Sequence, residues 1–400
     1  MSMSNFKSCK LSELLREIEK ENYSAIEEFW LDIERIGTPL VEEIDNSNVL
    51  VTFLYRDTEN IENILIYGGV PGFRYSENIM EHIEGTDIWF RTYKVRNDVK
   101  FKYNFSLNYK FDNNYKNIKK NSIVDPLNPN IFQFAEDEEN PEDKQQKFSL
   151  VKLPKVEEEF WTVSRESVKS GKIKSNRFYS EILGDTRRIW VYTPWNYRND
   201  GSPYNLLVLT DGFEYMNMGA ETVFNNLIND ERISPMVCVF VESKENRYEE
   251  LTCNEKLSDF LSEELITWIY ENYNISKNPK ERIIGGVSLG GLTATHIAYK
   301  NPHIFGNVLS QSGSYWYENQ WLTKEYENND RLPIKFYLNA GLLENHPYDD
   351  EPIMMEVINN MRDVLLNKGY SVAYENFPSG HDYLGWGETL ATGLIALIGM

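Results

Sequence analysis

Apolar residues recur at helical spacing between positions 11 and 30: Leu11, Leu14, Leu15 and Ile18, then Tyr23, Ile26, Phe29 and Trp30. From about position 37 to 110 the period shortens to short alternating runs. These are VLVTFLY (49–55), NILIYGG (63–69), DIWFRTYKV (87–95) and VKFKYNFSLNY (99–109). Turn residues separate them at roughly ten-residue spacing, which predicts an all-β sandwich. DPLNPN (125–130) and EDEENPEDKQQK (136–147) are Pro-broken and charged, and read as a linker. The expected boundaries are therefore 1–120 for a helix plus sandwich, 121–174 for an acidic linker and 175–400 for a second domain.

In the second domain the pattern changes again. RRIWVYTP (187–194), YNLLVLTDG (204–212), MVCVFVES (236–243), RIIGGVS (282–288), NVLSQSG (307–313), IKFYLNAG (334–341) and SVAYENF (371–377) read as strands. Helical stretches such as 255–273 and 289–300 lie between them. Strands alternating with helices predict a mostly parallel sheet with crossover connections.

Composition narrows the function classes. The net charge of −21 argues against nucleic acid or an anionic membrane as partner, since both select basic patches. It leaves room for an anionic ligand held by a few local arginines. The aromatic content (25 Tyr, 20 Phe, 9 Trp) fits a β-rich core first and pocket walls second. Cys9, Cys238 and Cys253 show no CxxC spacing and no Cys/His cluster, so neither a disulfide framework nor a metal site is expected. The N-terminal stretch carries repeated charges and no apolar core segment, unlike a signal peptide. No 18-residue apolar run predicts a membrane span. A reducing cytoplasm is the simplest compartment.

Gly286-Val287-Ser288-Leu289-Gly290 matches G-x-S-x-G. Composition alone produces such a match in about one chain in seven, so its context decides. Ile283 and Ile284 end a strand before it, and LTATHIAYK after it suits a helix. That is the strand–turn–helix placement of an exposed serine nucleophile, with glycines where strand and helix approach closely. In an α/β-hydrolase the acid and then the histidine follow the serine. Of His82, His296, His303, His346 and His381, only His381 lies after the final predicted strand, where the base belongs. Glu344, three residues past Gly341, is the preferred acid; Asp349 and Asp350 are alternatives, and Asp382 is a poor one because it adjoins the histidine. The oxyanion hole would combine the Leu289 N–H with that of Gly212 or Phe213 after an earlier strand; a plain Asp211-Gly212 turn is the other reading.

These residues resemble the enterochelin esterases, within a wider esterase family that includes S-formylglutathione hydrolases and feruloyl esterases. The similarity lies in RYEELTCNEKLSDFLSEELITWI (247–269), GGVSLGGLTATHIAYKNPHIFGNVLSQSGSYWY (285–317) and GHDYLGW (380–386). Gly85-Thr86-Asp87-Ile88-Trp89 and the Asp-Pro-Leu-Asn at 125–128 are similar to the family's N-terminal region. The resemblance implies an immunoglobulin-like domain preceding an α/β-hydrolase, and a catecholate siderophore trilactone as substrate. No cofactor is implied, because iron would arrive with the substrate. It further implies Arg247 as a ligand-facing cation, unless it pairs with Glu249 or Glu250. Trp316 and Trp386 would face catechol rings, unless they are core. Arg56 and Arg91 could reach over the site. The sequence departs from the family in its acidic charge and its long acidic 122–150 segment.

Three functions compete. The first is a siderophore trilactone esterase. The second is a feruloyl- or acetyl-type carbohydrate esterase with a sugar-binding β module. The third is a catalytically silent binding protein on the same fold, which the Ser288–His381 pairing disfavours.

Overall fold

A computed structural model of the chain describes residues 8–400 except 70–74, 113, 138, 140–144, 245 and 347–351. Contacts divide it into two compact units. The first is Met1–Glu157 together with Pro378–Asp382; the second is Glu158–Pro347, Glu351–Phe377 and Tyr383–Met400.

Among the described residues the first unit holds nine strands: β1 (Leu40–Glu43), β2 (Asn48–Arg56), β3 (Ile64–Gly68), β4 (Glu81–His82), β5 (Ile88–Arg96), β6 (Lys100–Leu107), β7 (Ser122–Ile123), β8 (Ile131–Phe134) and β9 (Gln146–Lys152). They form two antiparallel sheets, ordered β1-β2-β5-β4 and β3-β6-β9-β8, with β7 on β6. The helical pattern at 11–30 folds as two helices, Cys9–Glu19 and Ser24–Ile36. Their apolar stripe of Leu11, Leu14, Phe29, Trp30 and Ile33 packs on Leu40, Leu54, Ile88 and Phe90. Burial of such a stripe, more than helix propensity, stabilises short helices.

Two expectations need correction here. The segment 121–174 assigned as an acidic linker carries strands of the first unit: β9 pairs with β6 and β8, and its Phe148 and Val151 are buried. The charged run at 136–147 hides these short strands because it mostly fills the connection between them, part of it outside the described residues. Asp-Pro-Leu-Asn is a buried corner: Asp125, 1% exposed, accepts from Thr38 Oγ1 (2.7 Å), Tyr103 OH (2.6 Å) and Leu127 N (2.9 Å). Arg56 and Arg91, expected as free cations, have carboxylate partners within their own unit. Arg56 binds Asp87 and Glu27, and Arg91 pairs with Glu81. Asp87 also takes the Trp30 indole N–H at 2.9 Å, which explains the Gly-Thr-Asp-x-Trp segment as a brace between helix and sheet.

The second unit is built on one eight-stranded sheet. Its strands are β10 (Lys172–Ser180), β11 (Asp185–Thr193), β12 (Asn205–Leu209), β13 (Met236–Val241), β14 (Arg282–Val287), β15 (Asn307–Gln311), β16 (Lys335–Gly341) and β17 (Ser371–Phe377). The order is β10-β11-β13-β12-β14-β15-β16-β17. β10 and β11 are antiparallel; from β13 to β17 neighbours are parallel. Helices cover both faces, so β13, β14 and β15 are buried along their whole length, and β13 reads as a continuous apolar run. This is the sheet of an α/β-hydrolase. The predicted helix at 255–273 is observed as Glu255–Asp259 and Ile266–Asn272 joined by a π-helical turn, Phe260–Leu265. Among the described residues no helix is long and apolar enough to cross a membrane. The parallel register brings the carboxyl ends of β14 to β17 to one edge: Val287 pairs with Gln311, Gln311 with Asn339, and Gly341 with Phe377. Loops beyond such ends build the sites of open α/β sheets.

Candidate active site

Ser288 occupies the turn between β14 and the helix Leu289–Lys300, with φ 56° and ψ −119°. A non-glycine residue there costs about 1–3 kcal/mol and persists only where its surroundings over-determine it. They do so here. Ser288 N donates to Gln311 O at 2.9 Å, and Ser314 N donates to Ser288 O at 3.0 Å. The turn closes only over glycine. A Cβ on Gly286 would lie 2.4 Å from the Gly290 carbonyl carbon and 2.5 Å from Thr210 Oγ1. Gly286→Ala should therefore destabilise the protein by about 1–3 kcal/mol, because the nearest obstacle is backbone that cannot rotate away. An unchanged denaturation midpoint would contradict this packing.

The loop after β12 abuts this turn. A Cβ on Gly290 would meet Thr210 Oγ1 at 2.5 Å and Asp211 Oδ2 at 3.2 Å. Asp211 is buried, lies in the left-handed region (φ 53°) and precedes the helix Gly212–Asn217. Gly212 and Phe213 therefore stand at one helix start and Leu289 at another, where first-turn N–H groups lack intrahelical partners. Two such helix starts flanking Ser288 are suited to an oxyanion.

Arg247 departs from the local ion pair offered as its structural role. It pairs neither with Glu249 nor with Glu250; Glu250 binds Arg187 instead. Arg247 Nε and Nη2 grip Asp211 Oδ1 and Oδ2, each at 2.6 Å, while Ser243 Oγ donates to Asp211 Oδ1 at 2.7 Å. Burial depresses the guanidinium pKa, but the Asp211 carboxylate outweighs it and the net shift is upward. The side chain stays about one-third exposed (34%). Arg247 thus braces the loop that carries Gly212 and Phe213.

Glu344 follows β16 and is 4% exposed. Its Oε2 accepts from Ser312 Oγ at 2.8 Å and from the Gly341 N–H. Ser312 Oγ in turn accepts from the Trp386 indole N–H at 3.0 Å. Trp386, expected to face a ligand, is instead buried and acts as a support for Ser312. Trp316 is half-buried, two residues past Ser314 and just before a left-handed turn at Glu318, Asn319 and Gln320. Asp349 and Asp350 lie outside the described residues.

Between Ser288 and Glu344 runs the strand end Gln311–Ser314, bonded to both. It supplies what sequence reasoning missed. Ser314 Oγ lies 3.2 Å from Ser288 Oγ. Gln311, fully buried, accepts from Tyr215 OH and donates to Trp386 O and Thr389 Oγ1, each at 2.7 Å. The available signal was the polar LSQSG run ending an apolar strand. Of the other histidines, His296 is buried in the helix after Ser288, and burial lowers its pKa.

His381 lies four residues beyond the end of β17, exposed at the apex of a tight turn in which Asp382 N donates to Gly380 O at 2.9 Å. Its segment, Pro378–Asp382, belongs to the first compact unit.

Residues 180–397 match the family described as "putative esterase", and the chain belongs to that family. Residues 50–162 match the family described as "enterochelin esterase, N-terminal". Among individual proteins, the chain is 23% identical to the iron(III) enterobactin esterase of Dickeya dadantii, over 92% of each chain. It shares its fold with the ferric enterobactin esterase of Salmonella typhimurium (TM-score 0.72, 22% identity, 90% of this chain and 96% of the other). It likewise shares the fold of the Shigella flexneri enterobactin esterase solved in the presence of enterobactin (TM-score 0.70, 24% identity, 90% and 95%).

Proposed function

We propose that this protein is a serine esterase that opens the trilactone backbone of a catecholate siderophore and thereby releases the iron the substrate carries. The observation that carries the chemistry is Ser288, held at positive φ beside two helix starts. The substrate class is supported by similarity along both chains' lengths to proteins named for iron(III) enterobactin and iron(III) salmochelin. His381 takes the Ser288 proton as Oγ attacks the ester carbonyl, and returns it to the leaving alcohol. Leu289 N–H and the Phe213 or Gly212 N–H stabilise the oxyanion. Glu344 orients His381 and offsets its charge. Water then cleaves the acyl-enzyme. Trp316 faces an aromatic ring of the substrate. Arg247, its charge matched by Asp211, acts on the ligand through its exposed edge. No cofactor enters this scheme. We read the two antiparallel sheets of the first unit as an immunoglobulin-like module, and the cytoplasm as the compartment.

The test offers purified protein ferric and iron-free catecholate trilactones, then feruloyl and acetyl sugar esters. Release of acylated serine units from a trilactone is expected. Turnover confined to the sugar esters would reject the reading in favour of a carbohydrate esterase.

A further inference from the structure

Three bonds tie the segment after β15 to the nucleophile. Ser288 N donates to Gln311 O at 2.9 Å, Ser314 N donates to Ser288 O at 3.0 Å, and Ser314 Oγ lies 3.2 Å from Ser288 Oγ. The first two fix backbone to backbone. The third touches the reacting atom.

The segment that carries Ser314 is itself held on each side. Ser312 sits in the left-handed region (φ 47°), and its N–H donates to Asn339 O at 3.2 Å and to Asn339 Oδ1 at 2.9 Å. Tyr315 is 1% exposed; its hydroxyl donates to Ser310 Oγ at 2.8 Å and lies 2.8 Å from Thr295 Oγ1, in the helix after Ser288. Ser314 O accepts from Tyr317 N at 3.2 Å. With its N–H and C=O both engaged, Ser314 keeps its hydroxyl on Ser288.

Proton accounting gives that bond a direction. A serine hydroxyl has one proton to donate and two lone pairs. Ser314 is 2% exposed, so water is a poor substitute for a protein partner. Among the described residues, Ser288 Oγ is the one hydrogen-bond partner of Ser314 Oγ. Were Ser288 the donor, the Ser314 proton would be buried without an acceptor, and an unmet buried donor costs more than a typical bond returns. With Ser314 as donor, its proton is satisfied and the Ser288 proton stays available to the base. When Oγ attacks the ester carbon, the base takes that proton and charge builds on Oγ. A bond already aimed at this oxygen strengthens with the charge. In deacylation the same C–Oγ bond breaks, its electron pair returns to Oγ, and Oγ recovers a proton from the base. Ser314 keeps its own proton throughout.

We propose that Ser314 is a catalytic residue: its hydroxyl donates to Ser288 Oγ and stabilises the charge on that oxygen both as the acyl bond forms and as it breaks. This rests on the reading of Ser288 as an esterase nucleophile.

The test uses the full-length protein and p-nitrophenyl dimethylcarbamate, because a carbamoyl-serine hydrolyses slowly enough to resolve both steps. Release of p-nitrophenol reports bond formation at Ser288, and regain of esterase activity after removal of excess reagent reports bond cleavage. Ser314→Ala should slow both steps by about 10- to 100-fold, with melting temperature little changed. Ser314→Cys, whose S–H is a weak donor, should fall between the two. A hydroxyl that merely held the Ser288 rotamer would slow the first step alone, since Oγ is already bonded in the second. That result would overturn the donor role, as would both rates within twofold of wild type. Should Ser314→Ala unfold, Ser314→Cys, of nearly the same size, decides on the same two rates. Undiminished p-nitrophenol release by Ser288→Ala would overturn the nucleophile itself, and the role of Ser314 with it.

Discussion

Ser288→Ala should lower kcat for ester hydrolysis by about 10⁵- to 10⁶-fold while leaving ligand affinity within a few fold. That loss is about 7–8 kcal/mol of transition-state stabilisation. Affinity should survive because the turn is held by its backbone. Ser288 N bonds Gln311 O, and Ser288 O accepts from Ser314 N, so neither bond uses the hydroxyl that is removed. Alanine at φ 56° carries much the same steric cost as serine, so the local strain is unchanged. Residual turnover comes from the oxyanion donors and binding alone. Steady-state hydrolysis and tryptophan-fluorescence titration with the ferric ligand check the two halves. A variant retaining more than about 1% of wild-type activity would move the nucleophile elsewhere, with Ser314 Oγ, 3.2 Å away, first to be tested.

How far the sequence foretold this site depends on how local each feature is. The turn at Ser288 was legible because its requirements lie within five residues: two glycines, a preceding apolar strand and a following helix. The β13 and β14 strands were legible because burial on both faces writes largely apolar runs. The strands at Ile131–Phe134 and Gln146–Lys152 were not, since charge in their connection outweighs their few core residues. Side-chain partnerships over long separations were illegible as well. Arg247 selects Asp211, 36 residues back, over its neighbouring glutamates, because Asp211 is buried at a helix start and needs a bidentate cation there. Trp386 read as a ligand surface because tryptophan is at home in either place; its N–H partner, Ser312, is 74 residues away and decides for the core. Likewise, nothing near His381 in sequence indicates that its loop is bonded to Lys100, 279 residues from Ser379.

Glu344→Gln should reduce kcat by about 10²- to 10⁴-fold, with Asp349→Asn and Asp350→Asn each within about twofold of wild type. The substitution keeps size and burial and removes only the charge, so it isolates what the carboxylate does. Buried at 4% exposure, Glu344 cannot rely on water; Ser312 Oγ and the Gly341 N–H satisfy its Oε2. These donors fix the orientation of the carboxylate, which an acid partner needs if it is to meet an imidazolium. A glutamine would keep one acceptor oxygen for Ser312 and Gly341, but its other end becomes an N–H₂ donor. That end would hold the imidazole in the wrong tautomer and leave the developing positive charge unmatched. The two effects act on the transition state and not on substrate binding, so kcat should fall with KM nearly constant. The alternative acids make the opposite pattern: if Asp349 or Asp350 were the partner, its Asn variant would lose activity and Glu344→Gln would cost stability first. Trp386→Phe separates support from chemistry. It removes the N–H that holds Ser312 without touching the carboxylate, and should cost no more than about tenfold, the loss expected of a residue acting through another's geometry.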